Sequence, residues 1–383
     1  MALQLIKKIK KILGEGTHYL HEPFFNGNEW KYVKKTLDDN FVSTVGPFVG
    51  KFEKELKKFT KSKYVISTTS GTSALFLSLA VNGVKEDDEV LVPTITFAAT
   101  ANAVMYLKAK PHFVDSELET LGIDPIKLDA YLKKITKKKG KFFFNKITNK
   151  RLKAIIPVHV FGNVCKIDKL IKIAKKYNLA VIEDATEALG SFFNHKHAGT
   201  FGSVGCLSFN GNKILTTGGG GALLTNNKYL AKKMKHLATT AKVKHKWEYI
   251  HDEVGYNFKM PSINAALGLA QLENLKSILI SKKKLYLKYC KMFENVNDYY
   301  LIKNPYKSSS NNWLNTLLLK KPSIKFRNKI LTLAHKNKIF LRPVWKPLHT
   351  LKHFCKMPKM NLEKSNIIYK SCINLPSSAF YLL

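Results

Sequence analysis

Acidic residues are in short supply: 27 Asp and Glu stand against 64 Lys and Arg in 383 residues, a formal net charge of +37. Such an excess can draw in nucleic acid or an anionic membrane surface. The lysines, however, lie in short groups along the whole chain, arginine is scarce beside lysine, and asparagine is plentiful. A compositional drift toward Lys, Asn and Ile at exposed positions produces that distribution, so no nucleic-acid partner is expected. The charge still favours capture of a phosphate-bearing ligand. Cysteine is sparse as well. The five (Cys165, Cys206, Cys290, Cys355, Cys372) are odd in number, scattered and without a CxxC pair, which argues against a disulfide framework and a thiolate zinc site. Long apolar runs are missing. Residues 74–81 stop well short of the ~18 needed to suggest a membrane span, and no signal-peptide core or cleavage pattern follows the N-terminus. A cytoplasmic protein without membrane insertion is expected. Residues 3–13 predict a short basic amphipathic helix, for which membrane contact is the lesser reading.

With 45% hydrophobic residues, the chain can bury a large core and exceeds the usual size of one domain. A large domain over residues 1–250, with a helical N-terminal segment, and a smaller one over 251–383 are expected. Helical patterning covers 29–59, interrupted by a turn-rich stretch at 43–50. Strands are predicted at 63–67, 89–92, 110–114, 154–157, 180–183 and 204–209, and helices at 70–81, 97–107, 128–132 and 167–177. Strands alternating with helices imply a mostly parallel sheet with helices on both faces, an α/β fold. Residues 133–151 are lysine-dense and read as a solvated loop. Beyond Pro261 a long helix runs to Phe293, followed by the mixed segments of a smaller α+β domain.

Four local motifs carry chemistry. Ser208-Phe209-Asn210-Gly211-Asn212-Lys213 is followed by Gly218, Gly219, Gly220 and Gly221. A lysine just past a buried strand, among small residues that let a flat ring approach, suits an imine-forming amine; alone, it also reads as a glycine-rich hairpin with a surface lysine. Glu183-Asp184 closes a hydrophobic strand, where ligand sites of open α/β sheets gather. A carboxylate there can pair with a protonated ring nitrogen, and Asp184 is the candidate, being nearer the strand end. A metal role for the pair lacks a supporting ligand set. Thr69-Ser70-Gly71-Thr72-Ser73 spans a strand-to-helix junction that can hold a phosphate, or simply cap the helix through Ser70. Phe97 follows another strand and can stack on a flat ring, or fill the core.

In this order and spacing, the motifs resemble the DegT/DnrJ/StrS family of nucleotide-sugar aminotransferases, within the fold-type I enzymes that use pyridoxal 5′-phosphate. The similarity also takes in residues 25–27, 41–52, 157–162, 199–205, 255–268 and 342–349. It implies that Lys213 forms the Schiff base with the cofactor and that Asp184 pairs with the pyridine nitrogen. It further implies that Gly71, Thr72 and Ser208 bind the phosphate, that Phe97 covers the ring, and that Glu187 lies near cofactor and substrate. Asn257 matches an asparagine that reaches the phosphate of a neighbouring subunit, so a homodimer with active sites at the subunit interface is implied. Arg342, Trp345 and His349 are candidate contacts to the nucleotide-sugar.

The resemblance implies transfer of an amino group from L-glutamate to a nucleotide-linked keto-sugar, with Lys213 shuttling the proton. Two positions depart from many members: Gly219 stands where a glutamate is common, and Lys259 where arginine is common, which loses a planar bidentate fork. The four glycines, with His21-Glu22-Pro23, Arg342-Pro343-Val344-Trp345 and Pro347-Leu348-His349, look most like the branch that aminates C4 of a UDP-4-keto-6-deoxy-N-acetylhexosamine for legionaminic-acid-type surface sugars. GDP-4-keto-6-deoxymannose or a 3-keto sugar is the alternative. Dehydrating members carry histidine at the lysine position, so Lys213 argues against dehydration. A non-catalytic binding protein on the same fold is the distant alternative.

Overall fold

Nine strands build the central sheet of the computed structural model, in which residues 2–305 and 307–382 are described. They are β1 (Tyr64–Thr68), β2 (Glu89–Pro93), β3 (Lys110–Val114), β4 (Thr136–Lys139), β5 (Phe142–Asn145), β6 (Arg151–Ile155), β7 (Ala180–Asp184), β8 (Val204–Ser208) and β9 (Gly221–Thr225). Their order is β1-β9-β8-β7-β6-β2-β3, with β5 beside β6 and β4 beside β5. The run β8-β7-β6-β2-β3 is parallel throughout. β9 is antiparallel to both β1 and β8, so β1, β7 and β8 all point their carboxyl ends toward one edge.

The helices follow from pattern. Ile167, Leu170, Ile173 and Ala174 turn one face of Ile167–Lys176 inward while its lysines face solvent. Gly71–Val81 is apolar nearly all round, with seven buried positions, and packs between the sheet and neighbouring helices. The 32-residue helix Ser262–Phe293, ~48 Å long at 1.5 Å per residue, serves two cores. Ala265, Leu269, Leu275 and Ile278 belong to the main one. Leu285, Tyr289 and Phe293 join a second, under a four-stranded antiparallel sheet ordered Tyr299–Leu301, Asn315–Leu319, Cys372–Leu375, Arg342–Pro343.

The N-terminal helix is present as expected while its lesser reading falls, and one expectation needs correction. The N-terminal helix, Ala2–Leu13, has its apolar face occupied: Leu5, Ile6 and Ile9 are buried in that second core, which leaves no apolar stripe for a membrane. No helix among the described residues is long and apolar enough to cross one. The stretch 133–151 is no solvated loop. It forms the β4–β5 hairpin, which joins the sheet through β6. Three consecutive phenylalanines supply the reason, Phe143 meeting Tyr177 edge-on at 5.2 Å. The hairpin is then fastened by Asn145 and Thr148, which donate to buried Glu89, itself 2.7 Å from His112.

Candidate active site

The shared carboxyl edge of β1, β7 and β8 brings together residues that lie up to 140 positions apart. Their end residues are Thr68, Asp184 and Ser208. A cavity of about 360 Å³ opens there, lined among others by Gly71, Thr72, Phe97, Asp184, Glu187, Ser208, Lys213, Trp313 and Trp345, and its size falls within the range of small-molecule sites.

After β1 the chain turns through Thr69 and Ser70 into the helix Gly71–Val81. Ser70 does cap it, its hydroxyl accepting the Ser73 amide at 3.0 Å. The amides of Gly71 and Thr72 have no acceptor among the described residues, and with the helix dipole they form an anion subsite facing the cavity. This approach needs Gly221 in β9: a Cβ there would stand 2.5 Å from the Ser70 carbonyl carbon and oxygen and 2.7 Å from the Gly71 nitrogen. Gly221→Ala is therefore expected to displace the helix start. The expected result is a loss of about 1–3 kcal/mol of stability by thermal denaturation, with weaker retention of an anionic ligand on dialysis.

Asp184 and Glu183, adjacent at the end of β7, have opposite fates because successive strand residues face opposite sides. Asp184 faces the cavity. Its Oδ2 accepts the Thr100 hydroxyl at 2.7 Å, and its Oδ1 accepts the hydroxyl of Thr186 at 2.7 Å and its amide at 3.2 Å. Glu183 faces away and accepts the amides of Gly199, Phe201 and Gly202, with His159 Nε2 at 3.1 Å. Burial opposes its charge, but His159 and these amides outweigh that and hold the carboxyl below the usual range. With its oxygens so occupied, Glu183 cannot share a metal with Asp184. Among the described residues, the group with metal-ligand spacing is His236, Asp252 and Glu253, outside the cavity and paired with Lys233.

Lys213 is mostly enclosed, its side chain 14% exposed, and its Nζ lies 3.2 Å from Glu187 Oε1. Glu187 Oε2 accepts the Phe161 amide at 2.8 Å. Burial pushes the Glu187 carboxyl up from its ordinary range, and Lys213 and the Phe161 amide offset this only in part. Phe97, half exposed, and Trp345 line the cavity mouth, with Trp345 4.9 Å from the Phe161 ring.

Three residues named from sequence stay out of this cavity. Arg342 is exposed on its edge strand. His349 turns its Nδ1 to the Thr94 hydroxyl at 2.8 Å. Asn257 is exposed and bridges to Thr239, next to Lys259, which bridges to Thr68. The sequence reading missed Trp313, whose ring centroid is 4.0 Å from Lys213 Nζ, and the carboxylate partners Thr100 and Thr186. Trp313 is one of four tryptophans and follows two asparagines, a signal too weak to place it against a lysine 100 positions earlier.

Residues 25–380 match the DegT/DnrJ/EryC1/StrS aminotransferase family. The chain belongs to that family. GDP-perosamine synthase of Escherichia coli O157:H7 is 34% identical over 94% of this chain and 92% of its own length. UDP-4-amino-4,6-dideoxy-N-acetyl-beta-L-altrosamine transaminase of Campylobacter jejuni is 32% identical over 90% of this chain and 88% of its own. Among solved structures, Helicobacter pylori PseC, an aminotransferase of pseudaminic acid biosynthesis, superposes with a TM-score of 0.86 at 26% identity, covering 95% of this chain and 94% of that one. The fold is that of the fold-type I transferases. The enzyme is a pyridoxal-phosphate-dependent sugar aminotransferase acting on nucleotide sugars, and the reading as a non-catalytic binding protein falls. The cavity suits the cofactor: two unpartnered amides at a helix start, a buried carboxylate and a lysine amine face one space.

Proposed function

We propose that this aminotransferase moves the amino group of L-glutamate to C4 of a UDP-linked 4-keto-6-deoxy-N-acetylhexosamine, supplying a legionaminic-acid-type surface sugar. The observation that carries the catalytic part is that Lys213 Nζ, the Asp184 carboxylate and the unpartnered amides of Gly71 and Thr72 line one cavity. When bound, pyridoxal phosphate supplies the electron sink through which an amino group leaves one carbon and is later placed on another.

The chain's own residues divide the work. The Gly71 and Thr72 amides and the Ser208 hydroxyl would hold the phosphate at the helix start. Asp184, kept in place by Thr100 and Thr186, would pair with the ring nitrogen. Phe97 would cover the ring. Lys213 would hold the cofactor through its Nζ and, when free, its amine would move the proton at the reacting carbon. Glu187, whose carboxyl is raised by burial, stands beside that amine as its hydrogen-bond partner. Trp345 and Trp313 give the sugar flat apolar faces. The enzyme works as a homodimer in which Asn257, exposed on one subunit, reaches the phosphate of the other, and Arg342 and His349 meet the nucleotide outside the cavity.

Support for the UDP-linked substrate comes from the His21-Glu22-Pro23 and four-glycine motifs and from the altrosamine transaminase relative. GDP-4-keto-6-deoxymannose is the second reading, favoured by the similarity to GDP-perosamine synthase. Absorption spectra decide. L-Glutamate should replace the visible band of the lysine-bound cofactor with the near-ultraviolet band of its amine form, and the UDP-linked keto-sugar should restore it. Restoration by the GDP-linked sugar alone overturns the UDP assignment and leaves the amination intact. Neither sugar restoring the band rejects both substrates.

A further inference from the structure

Three chain segments distant in sequence meet around the Lys213 amine: residues 160–162, 187–191 and 311–314. Glu187 Oε1 lies on one side of Nζ at 3.2 Å, and the Trp313 ring lies on another, its centroid at 4.0 Å. A carboxylate and an indole face are the two side-chain surfaces that best stabilise an ammonium. Both are held by one buried residue, Asn311. Its Nδ2 donates to the carbonyls of Glu187 at 2.8 Å and Leu189 at 2.9 Å, and its Oδ1 accepts the Trp313 amide at 2.8 Å. Its own amide donates to Ser191 Oγ at 2.9 Å. Gly162, in the left-handed region at φ +91°, makes room for it: a Cβ there would stand 2.0 Å from Asn311 Oδ1. The indole is fixed from the other end by its Nε1, which donates to the Asn212 carbonyl at 2.8 Å, and by buried Lys282, which donates to the Trp313 carbonyl at 3.3 Å.

We propose that the Trp313 ring and the Glu187 carboxylate form a resting site for the Lys213 ammonium whenever that lysine is not joined to the cofactor, and that Asn311 is the positioning residue holding both walls. The inference rests on the assignment of Lys213 as the cofactor-bearing lysine. A cation held where the Lys213 side chain is mostly enclosed is unfavourable unless it is received, and this site receives it without leaving the reaction zone. By stabilising the released state, it favours the amine form of the enzyme over the lysine-bound form.

The test is an equilibrium rather than a rate. The ratio of L-glutamate to 2-oxoglutarate at which half of the cofactor is in its amine form is read from the two absorption bands. Trp313→Met keeps side-chain bulk and removes the ring, and should require a ratio roughly 2- to 30-fold higher than the parent. Trp313→Phe restores a ring face and should fall within about 2-fold of the parent on the same scale. Asn311→Asp, which replaces the side-chain donor to two carbonyls, should shift in the direction of Trp313→Met. An unchanged ratio in both Trp313→Met and Asn311→Asp overturns the resting site. If these variants do not fold, a crystal structure of the cofactor-free parent serves: Nζ against the indole and Glu187 supports the proposal, and Nζ turned away from both overturns it. Borohydride reduction of the holoenzyme followed by peptide mapping separates the two levels. A label on another lysine removes the underlying assignment, whereas a label on Lys213 with an unmoved ratio removes only the resting site.

Discussion

Lys213→Ala is expected to lower the amination rate by roughly 10²–10⁴-fold or more, since loss of a positioned proton-transfer group alone has that magnitude. Among the described residues, Lys213 is the one lysine lining the cavity, and no other described amine lines it to take its place. Most of the anion subsite survives the change, because the Gly71 and Thr72 amides belong to the backbone of a helix whose first turn is capped by Ser70. The variant should therefore still bind cofactor, but release it on dialysis and lack the visible band. Lys213→Arg separates two effects. It keeps a cation beside Glu187 and Trp313 yet cannot act as an amine nucleophile or give up its proton near neutral pH, so it should be as inactive as the alanine variant while retaining thermal stability. Full transaminase activity in either variant sinks the assignment.

Asp184→Asn should cost about 10²–10³-fold in kcat, the usual scale for deleting one preorganised electrostatic partner, with little change in fold. Three donors converge on this carboxylate, the hydroxyls of Thr100 and Thr186 and the Thr186 amide. An asparagine oxygen can keep the Thr186 pair, and the Thr100 hydroxyl can rotate to accept from the amide while remaining 2.8 Å from Thr96. What the neutral amide cannot do is favour a proton on the ring nitrogen. The expected signature is near-parental melting, moderately weaker cofactor binding and slow turnover in both half-reactions. Parental kcat in a folded Asp184→Asn would mean that the carboxylate serves only the packing of the loop after β7.

The features legible in the sequence share one property: each is written in a few consecutive residues at a strand end. Ser70-Gly71-Thr72 spells a helix start, the apolar run before Asp184 spells a buried strand, and the small residues around Lys213 spell close backbone approach. Alternation of such units was enough for an α/β sheet and for the edge at which a ligand sits. Residues 133–151 misled because lysine density masked the phenylalanines 142–144: the contact of Phe143 with Tyr177 and the pairing of Phe143 and Phe144 with β6 are non-local. From sequence, Asp184 is preferred to Glu183 only as the acid nearer the strand end. The pleat of β7 sends one to His159 and the other to the cavity.

The sequence alone named Gly71, Thr72, Asp184, Ser208 and Lys213, which the structure brings to one cavity at the strand ends, since local periodicity and turn chemistry act over distances the chain spans within one βα unit. The opposite wall was decided by tertiary structure. Trp313, and Asn311 that accepts its amide, come from the segment that follows the long helix Ser262–Phe293, and nothing local to them encodes the encounter of Trp313 with Lys213. That encounter exists because the helix spans both cores and fixes the second sheet against the first, and side chains 100 positions apart, as Lys213 and Trp313 are, meet only through such packing.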